Sequence, residues 1–261
     1  MVLPIIDARV HISRTIAPWP RAREALRRAG IDTALLTAHP DSPQLSDDLS
    51  LPLDVAGANG PWAAYYVGGS PFSGHRRGPL RVPANLGRYR ALHIRCFFSP
   101  SLDFGGATTS AQWDPDSLEA AAGRADLGEL IAAAADLGMP VWLTEHFPVT
   151  LALIDRFPRV RWVIPKMGAM NGGTAQVLNA LADHDTVFFD SACGELHESI
   201  VRRIGPQRIL FASGYPFNEP SEALDQVGHL NLPDDQIAAI AGGNLLELLG
   251  EADRFGASRG E

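Results

Sequence analysis

The sequence lacks several features that define common classes of protein. It has only two cysteines, Cys96 and Cys193, which excludes a disulfide scaffold or a cysteine-rich zinc module. No stretch approaches about 18 consecutive apolar residues, and no basic region with a following apolar run opens the chain, so neither a membrane span nor a secretory signal is predicted. Basic clusters are absent and the formal net charge is −8, which argues against a nucleic-acid-binding surface. We therefore expect a soluble, cytoplasmic protein with no nucleic-acid or membrane partner.

What is present is enough apolar material for a large core. The chain has 261 residues, of which 46% are hydrophobic and 20% charged. This size suits one α/β domain, and we expect that domain at residues 1–250 with a polar tail at residues 251–261.

Short apolar runs alternate with longer helix-like stretches along nearly the whole chain. The runs are bounded by Gly, Pro, Asn or other polar residues, as is typical of buried parallel strands. The predicted strands are residues 4–12, 33–38, 63–67, 92–98, 141–146, 161–166, 186–191 and 208–213. The predicted helices are residues 21–29, 126–137, 149–157, 174–182, 196–204, 219–227 and 234–249.

Eight strands with intervening helices predict an α/β fold of the (β/α)8 TIM-barrel type. The alternative is an open doubly wound sheet, but no Gly-rich phosphate loop follows the first strand. Three irregular stretches, at residues 39–60, 68–87 and 99–115, each follow a strand, on the face where barrels build their active sites. We interpret them as candidate lids.

The first strand carries polar side chains at alternate positions. Strand alternation puts Asp7, Arg9 and His11 on one face, which we expect to point into the barrel. The other face would then turn toward the helices, and it consists of Ile6, Ala8, Val10 and Ile12.

Other predicted strands also end in polar residues. Each has a structural reading, such as a core histidine, a helix cap or half of a buried ion pair, because a buried charge is costly unless paired. Together they predict a functional pocket at the C-terminal ends of the strands. These residues are His93, Arg95, Thr144, His146, Lys166, Asp190 and Ser213.

Four segments resemble the amidohydrolase-2 branch of the amidohydrolase superfamily, which includes aminocarboxymuconate-semialdehyde decarboxylases and pyrone-dicarboxylate lactonases. Residues 6–11 resemble the family's Asp-x-His-x-His strand, and residues 157–168 its strand ending in His-x-Gly. Residues 208–216 resemble its Gly-Ser-Asp-Tyr-Pro strand, and residues 240–249 its closing helix. The resemblance implies a TIM barrel, and a homodimer is expected from it alone.

The resemblance also implies a divalent metal held by histidines and an aspartate, but the ligand positions are altered. Arg9 replaces the first histidine of the pair and leaves His11. Lys166 stands at the strand-6 histidine, and Gly214 at the strand-8 aspartate. Thr144 stands at the strand-5 histidine, with His146 two residues later. Since zinc normally has three or four protein ligands, and fixed cations repel it, we predict no metal and no other cofactor.

Arg9, Arg95 and Lys166 predict a pocket for a small anionic, carboxylate-bearing substrate. Alternatively, these cations pair with Asp7, Glu145 and Asp190 in a structural network. We expect Thr144 and Ser213 to add substrate contacts.

The first functional hypothesis is a metal-independent enzyme that catalyses hydrolysis, decarboxylation or a related lyase or cyclase step. His11 or His146 would act as general acid or base, and Asp190 would either orient one of them or be the base itself. Arg9 and Lys166 would stabilise negative charge, or Lys166 would instead form a Schiff base. The second is a catalytically inactive binding or regulatory protein that retains the amidohydrolase fold.

Overall fold

Eight parallel strands follow one another around a single sheet in chain order. The computed structural model describes residues 3–57, 60–68, 80–95, 122–194 and 196–252. The strands are β1 (Ile6–Ile12), β2 (Thr33–Ala38), β3 (Trp62–Gly68), β4 (Ala91–Arg95), β5 (Val141–Thr144), β6 (Trp162–Ile164), β7 (Val187–Asp190) and β8 (Ile209–Leu210).

Backbone hydrogen bonds join the first strand to the segment that directly follows the eighth. The N–H of Ala8 donates to the Phe211 carbonyl at 2.8 Å, and the N–H of Gly214 donates to the Arg9 carbonyl at 3.0 Å. The predicted (β/α)8 barrel is thus confirmed, and the doubly wound alternative is wrong.

Helices occupy most of the connections between the strands. None of the described helices is long and apolar enough to cross a membrane. They are α1 (Trp19–Arg28), α2 (Leu45–Asp48), α3 (Leu51–Val55), α4 (Ala125–Asp136), α5 (Phe147–Arg156), α6 (Thr174–Leu181), α7 (Glu198–Ile204), α8 (Pro220–Gly228), α9 (Asp234–Ala238) and α10 (Asn244–Leu249).

The helix predicted at residues 234–249 is confirmed over its whole length. A π-helical turn, Ala239–Gly243, lies between α9 and α10 within it. A Cβ added at Gly242 would lie only 2.1 Å from the Pro4 carbonyl oxygen, so this segment presses against the chain just before β1. Glycine permits that approach.

Most of the described apolar strand residues belong to two clusters, and Ala38, Leu45 and Tyr66 form a small third one. Residues facing the barrel interior pack with α10, whereas the outward residues pack beneath the other helices. The interior strand residues include Ile6, Ala8, Leu35, Trp62, Ala64, Ala91, Trp142, Val163 and Leu210.

The expected alternation of faces along β1 is wrong. Ile6 and Ala8 belong to the interior cluster, whereas Val10 and Ile12 belong to the outer one. The β1–β2 register shifts between Asp7 and Val10, which is a β-bulge. An extra residue in the bulge exchanges the two faces, so the strand turns apolar side chains inward at its start and outward at its end.

Several predicted elements lie partly or wholly outside the described residues. Among them are the candidate lid at 99–115, most of that at 68–87, and the tail beyond residue 252. The stretch 39–60 contains the short helices α2 and α3.

Candidate functional site

The carboxylate of Asp190, at the end of β7, organises the centre of the barrel mouth. It accepts two hydrogen bonds from the Arg9 guanidinium, from Nε at 2.9 Å and Nη2 at 3.0 Å. It also accepts from Trp142 Nε1 at 3.2 Å, and from the backbone N–H groups of Lys166 at 2.9 Å and Ala192 at 3.2 Å. Since Arg9 is 5% exposed and Asp190 is fully buried, this is a buried bidentate ion pair.

Asp7 and Ser213 form a second buried polar contact, between β1 and the segment after β8. The Asp7 carboxylate accepts hydrogen bonds from the Ser213 hydroxyl and from the backbone N–H groups of Ser213 and Arg9. Burial raises the pKa of Asp7 to about 6, although these bonds act in the opposite direction. The Ser213 hydroxyl also accepts a hydrogen bond from the Tyr215 N–H at 3.0 Å. The hydroxyl therefore both donates to and accepts from groups of the protein itself.

Three histidines meet at the mouth beside this network. The ring centroid of His11 lies 6.0 Å from those of both His39 and His93. The N–H of Asp41 donates to His39 Nδ1 at 3.1 Å, so in the neutral ring Nε2 carries the proton. His11 Nδ1 donates to the Ala38 carbonyl at 3.4 Å, which leaves a lone pair on Nε2. His39 therefore offers a hydrogen-bond donor at Nε2, and His11 offers an acceptor at Nε2.

All three rings are buried, and their surroundings favour the neutral form. Burial lowers the pKa of His11 and His93 well below the ordinary value, and the charge on Arg9 lowers both further. Burial is also the main cause that lowers the pKa of His39, and Arg95 lowers it further. We conclude that these imidazoles are uncharged near neutral pH.

Lys166 and Arg95 are the cations at the mouth that have no carboxylate partner among the described residues. Lys166 Nζ lies 5.6 Å from the ring centroid of Phe217, which is 45% exposed. The same ring packs edge-on against His11 with centroids 5.5 Å apart. Arg95 lowers the pKa of His11, His39 and His93, so its charge lies close to all three rings.

The backbone holds Lys166 in a rarely adopted conformation. In the turn Pro165–Gly168, Lys166 has φ 55° and ψ 36°, and Met167 has φ 51° and ψ 28°. Cys193, after β7, also has a positive φ of 52°. Left-handed backbone costs about 1–2 kcal/mol for a residue with a side chain, and such strain gathers where function requires it. The strand predicted to reach residue 166 therefore ends earlier, at Ile164.

The resemblance implies metal ligands at residues 9 and 214, where this chain has Arg and Gly. Arg9 is paired with Asp190, and Gly214 has a φ of +68°. A Cβ added at Gly214 would lie 3.0 Å from Ala192 Cβ and 4.0 Å from Arg9 Nη2, so an aspartate there would crowd its neighbours. The described part of the chain contains no group of three His, Cys, Asp or Glu side chains able to hold a metal ion.

Thr144 and His146 do not share a face as predicted, because β5 ends at Thr144. Thr144 is buried beside Arg95 in the β4–β5 register. His146 is the N-cap residue of α5, and burial lowers its pKa.

Three site residues escaped the sequence reasoning. His39 follows the last residue of β2, so the strand-end rule applied to the other polar residues would have found it. Trp142 and Phe217 have apolar side chains typical of a core. Their contacts with Asp190 and Lys166 give no signal in the sequence.

Comparison with solved structures finds the same barrel fold in proteins of low sequence identity. An amidohydrolase 2 from Bifidobacterium longum subsp. infantis has a TM-score of 0.62 at 15% identity, covering 95% of this chain and 99% of that one. A 2,6-dihydroxybenzoate decarboxylase from Rhizobium has a TM-score of 0.58 at 13% identity, covering 95% and 98%. A zinc-bound amidohydrolase from Burkholderia multivorans has a TM-score of 0.62 at 15% identity, covering 95% and 99%.

At the level of sequence, no curated protein gives a significant match. The amidohydrolase-2 family model, however, matches residues 104–250, which is more than half of the chain. The chain therefore belongs to the amidohydrolase-2 family.

Proposed function

We propose that this protein is a metal-independent enzyme that removes carbon dioxide from, or hydrolyses, a small carboxylate-bearing substrate. Family membership supports amidohydrolase-like chemistry. Among the solved structures of similar fold, one is a 2,6-dihydroxybenzoate decarboxylase in complex with 2,6-dihydroxybenzoate, a small aromatic carboxylate.

The observation that carries the proposal is a pair of cations at the mouth, Arg95 and Lys166, for which the described residues provide no carboxylate partner. Arg9 is different because Asp190 already balances its charge, as the structural-network alternative predicted for that residue. A carboxylate placed between Arg95 and Lys166 would pair with both cations, and the Arg95 fork suits two carboxylate oxygens.

The surrounding groups suit proton transfer to and from a bound anion. A neutral His11 with a lone pair on Nε2 is a general base, and the Nε2–H of His39 is a fixed donor to a substrate oxygen. Asp190 has the role of positioning Arg9 and the Lys166 turn, because its oxygens are already engaged by five donors.

Metal independence is supported by Arg9, Lys166 and Gly214, at positions where the resemblance implies metal ligands. The two cations would repel a metal ion, and Gly214 has no side chain to bind one. Activity that appears only after zinc or manganese is added to chelator-treated protein would contradict it.

The first experiment is calorimetric titration of chelator-treated protein with 2,6-dihydroxybenzoate and with acetoacetate. We expect Arg95→Gln to weaken binding of the accepted carboxylate by about 10–100-fold, since a hydrogen bond to a charged group contributes about 1.5–3 kcal/mol. Arg23→Gln, on the exposed side of α1, is the matched control and should bind as the wild type does. Equal affinities of the Arg95 variant and the wild type would refute the anion site.

The Arg9–Asp190 pair also favours a second candidate, a binding protein without turnover. In that case the charge of Arg9 is balanced within the protein and has no role in a reaction. Carbon dioxide release or hydrolysis assayed on the carboxylate that binds separates the two. Binding that depends on Arg95, with no product from any tested carboxylate, would favour the binding protein.

A further inference from the structure

We propose that Lys166 is a catalytic nucleophile whose amine forms an imine with the ketone of a 3-oxo carboxylate. This inference rests on the proposed function and specifies its substrate class and its covalent step. Lys166 carries the only primary amine among the side chains of the protein.

Lys166 is the only lysine in the chain, whereas the other 21 basic residues are arginines. Arginine serves every position where a positive charge suffices, on the surface and in the buried pair with Asp190. A guanidinium stays protonated and cannot act as an amine nucleophile, but a lysine amine can. The single primary amine among the side chains thus lies at the C-terminal end of a barrel strand, where TIM barrels place their chemistry.

The surroundings hold this amine in place without binding it. The turn is fixed by the Lys166 N–H bond to Asp190 at 2.9 Å and by left-handed backbone at two successive side-chain-bearing residues. Nζ faces the Phe217 ring and has no hydrogen-bonded or ion-paired partner among the described residues. A protonated lysine normally takes a carboxylate partner when partly buried, and its absence leaves the amine available to a ligand.

The surroundings of Lys166 lower the pKa of its amine, which increases the share of the nucleophilic form. Burial is the main cause, and the charges on Arg9 and Arg95 add to it, whereas Cys193 and Asp190 oppose it. A lysine that is partly desolvated next to other cations is the usual form of an imine-forming residue.

Arg95 and Lys166 together select a 3-oxo carboxylate. Arg95 binds the carboxylate, while the amine of Lys166 attacks the ketone carbon two bonds from the carboxylate carbon. An imine at that position is the electron acceptor needed to break the bond to the carboxylate, which a simple carboxylic acid lacks.

The steps balance without an oxidant or reductant. Nζ attacks the ketone carbon, and the ketone oxygen leaves as water after taking up protons, which gives a protonated imine. The carbon–carboxylate bond then breaks, its electron pair moves toward the imine nitrogen, and carbon dioxide departs from an enamine. The enamine carbon takes one proton, and water hydrolyses the resulting imine to the shortened ketone and the free lysine.

His11 is placed to move those protons. Its Nδ1 is directed at the Ala38 carbonyl, so Nε2 can accept a proton and return it. The overall reaction consumes one proton from solvent and releases one ketone and one carbon dioxide.

Borohydride trapping tests the inference directly, with acetoacetate as the probe. Wild-type protein is incubated with acetoacetate and sodium borohydride, and the adduct is located by peptide mass spectrometry. Because Lys166 is the only lysine, the only other amine is at the chain's N-terminus. We expect a borohydride-dependent adduct on the peptide that carries Lys166, and its loss in Lys166→Arg.

Parallel titrations keep the two proposals separable. Lys166→Arg cannot form an imine, because a guanidinium stays protonated, and it should unfold at nearly the wild-type denaturant concentration. Binding that depends on Arg95 with no adduct on Lys166 would overturn the imine and leave the anion site standing. An adduct on Lys166 together with unchanged binding by Arg95→Gln would support the imine and overturn the anion site. Equal labelling of the wild type and Lys166→Arg would place the reaction at the N-terminus and refute this inference.

Discussion

Asp190 shows how a residue expected to transfer protons is instead fully occupied with holding others. Five donors converge on its two oxygens, and one of its partners is the buried guanidinium of Arg9. A buried ion pair gives little net stability, but removing one partner leaves an uncompensated charge inside the protein.

We therefore expect Asp190→Asn to lower the free energy of unfolding by about 3–5 kcal/mol, measured by denaturant titration. Asp183→Asn is the control, because Asp183 pairs with Arg203 at the surface and should leave the unfolding midpoint nearly unchanged. Arg9→Met combined with Asp190→Asn should cost less than Asp190→Asn alone. A fully stable Asp190→Asn variant with impaired turnover would instead support a direct catalytic role.

The sequence alone could identify Arg9 and Asp190 as polar residues on barrel strands but could not pair them. Both the ion pair and an open anion site were consistent with strand-end polarity. The direction of Arg9 depends on the bulge in β1, which exchanges the inward and outward faces part way along the strand. A regular two-residue alternation gives no sign of such an extra residue.

Between β6 and α6, the turn that carries Lys166 is fixed by packing as well as by hydrogen bonds. Gly168, its last residue, has a φ of +81°, and a Cβ added there would lie 2.6 Å from Val177 Cβ on α6. The turn therefore has no room to relax toward the helix behind it.

Gly168→Ala should lower the free energy of unfolding by more than the approximately 1–2 kcal/mol of left-handed strain, and should displace Lys166. Gly138→Ala is a matched control, since Gly138 has a φ of +67° but nothing within 4 Å of an added Cβ. The rate at which an amine reagent labels Lys166, followed by mass spectrometry, should change only in Gly168→Ala. Equal labelling rates in both variants would show that the turn does not depend on the contact with α6.

Strand and helix positions were largely predictable, whereas their ends were not. The periodic apolar pattern located all eight strands, because buried parallel strands need continuous apolar runs. The end of β6 depends on left-handed backbone at Lys166 and Met167, and neither residue type normally signals it. The π-helical turn between α9 and α10 lies against Pro4, which is far away in the sequence, so no local pattern indicates it.

Across the whole molecule, charge is distributed unevenly between the mouth and the rest of the chain. The protein is acidic overall, yet its mouth gathers three basic residues and several neutral histidines. Burial is the largest cause that lowers the pKa values of His11, His39, His93 and His146. In the unfolded chain these groups return to about 6.5.

Acidification below about pH 6.5 should therefore destabilise the fold. At that pH the histidines bind protons in the unfolded chain, whereas their lowered pKa values keep them neutral in the folded protein. The pKa of about 6 at Asp7 acts in the opposite direction, since the folded carboxyl is protonated before the unfolded one, whose ordinary value is 3.8. Denaturant midpoints measured from about pH 7.5 down to about pH 5 test both signs. We expect a shallower loss in His11→Asn and a steeper one in Asp7→Asn, and parallel profiles for all three proteins would contradict this account.

The lone lysine has a practical consequence for handling the protein. Reagents that couple proteins to resins, dyes or sensor surfaces through amines usually react with many exposed lysines, but this chain offers only its N-terminal amine and Lys166. Immobilisation through amines would either tether the protein by its N-terminus or block the barrel mouth, because the chain has no other lysine. Attachment through surface carboxylates leaves the mouth open, and a fluorophore on Lys166 would report directly on what enters it.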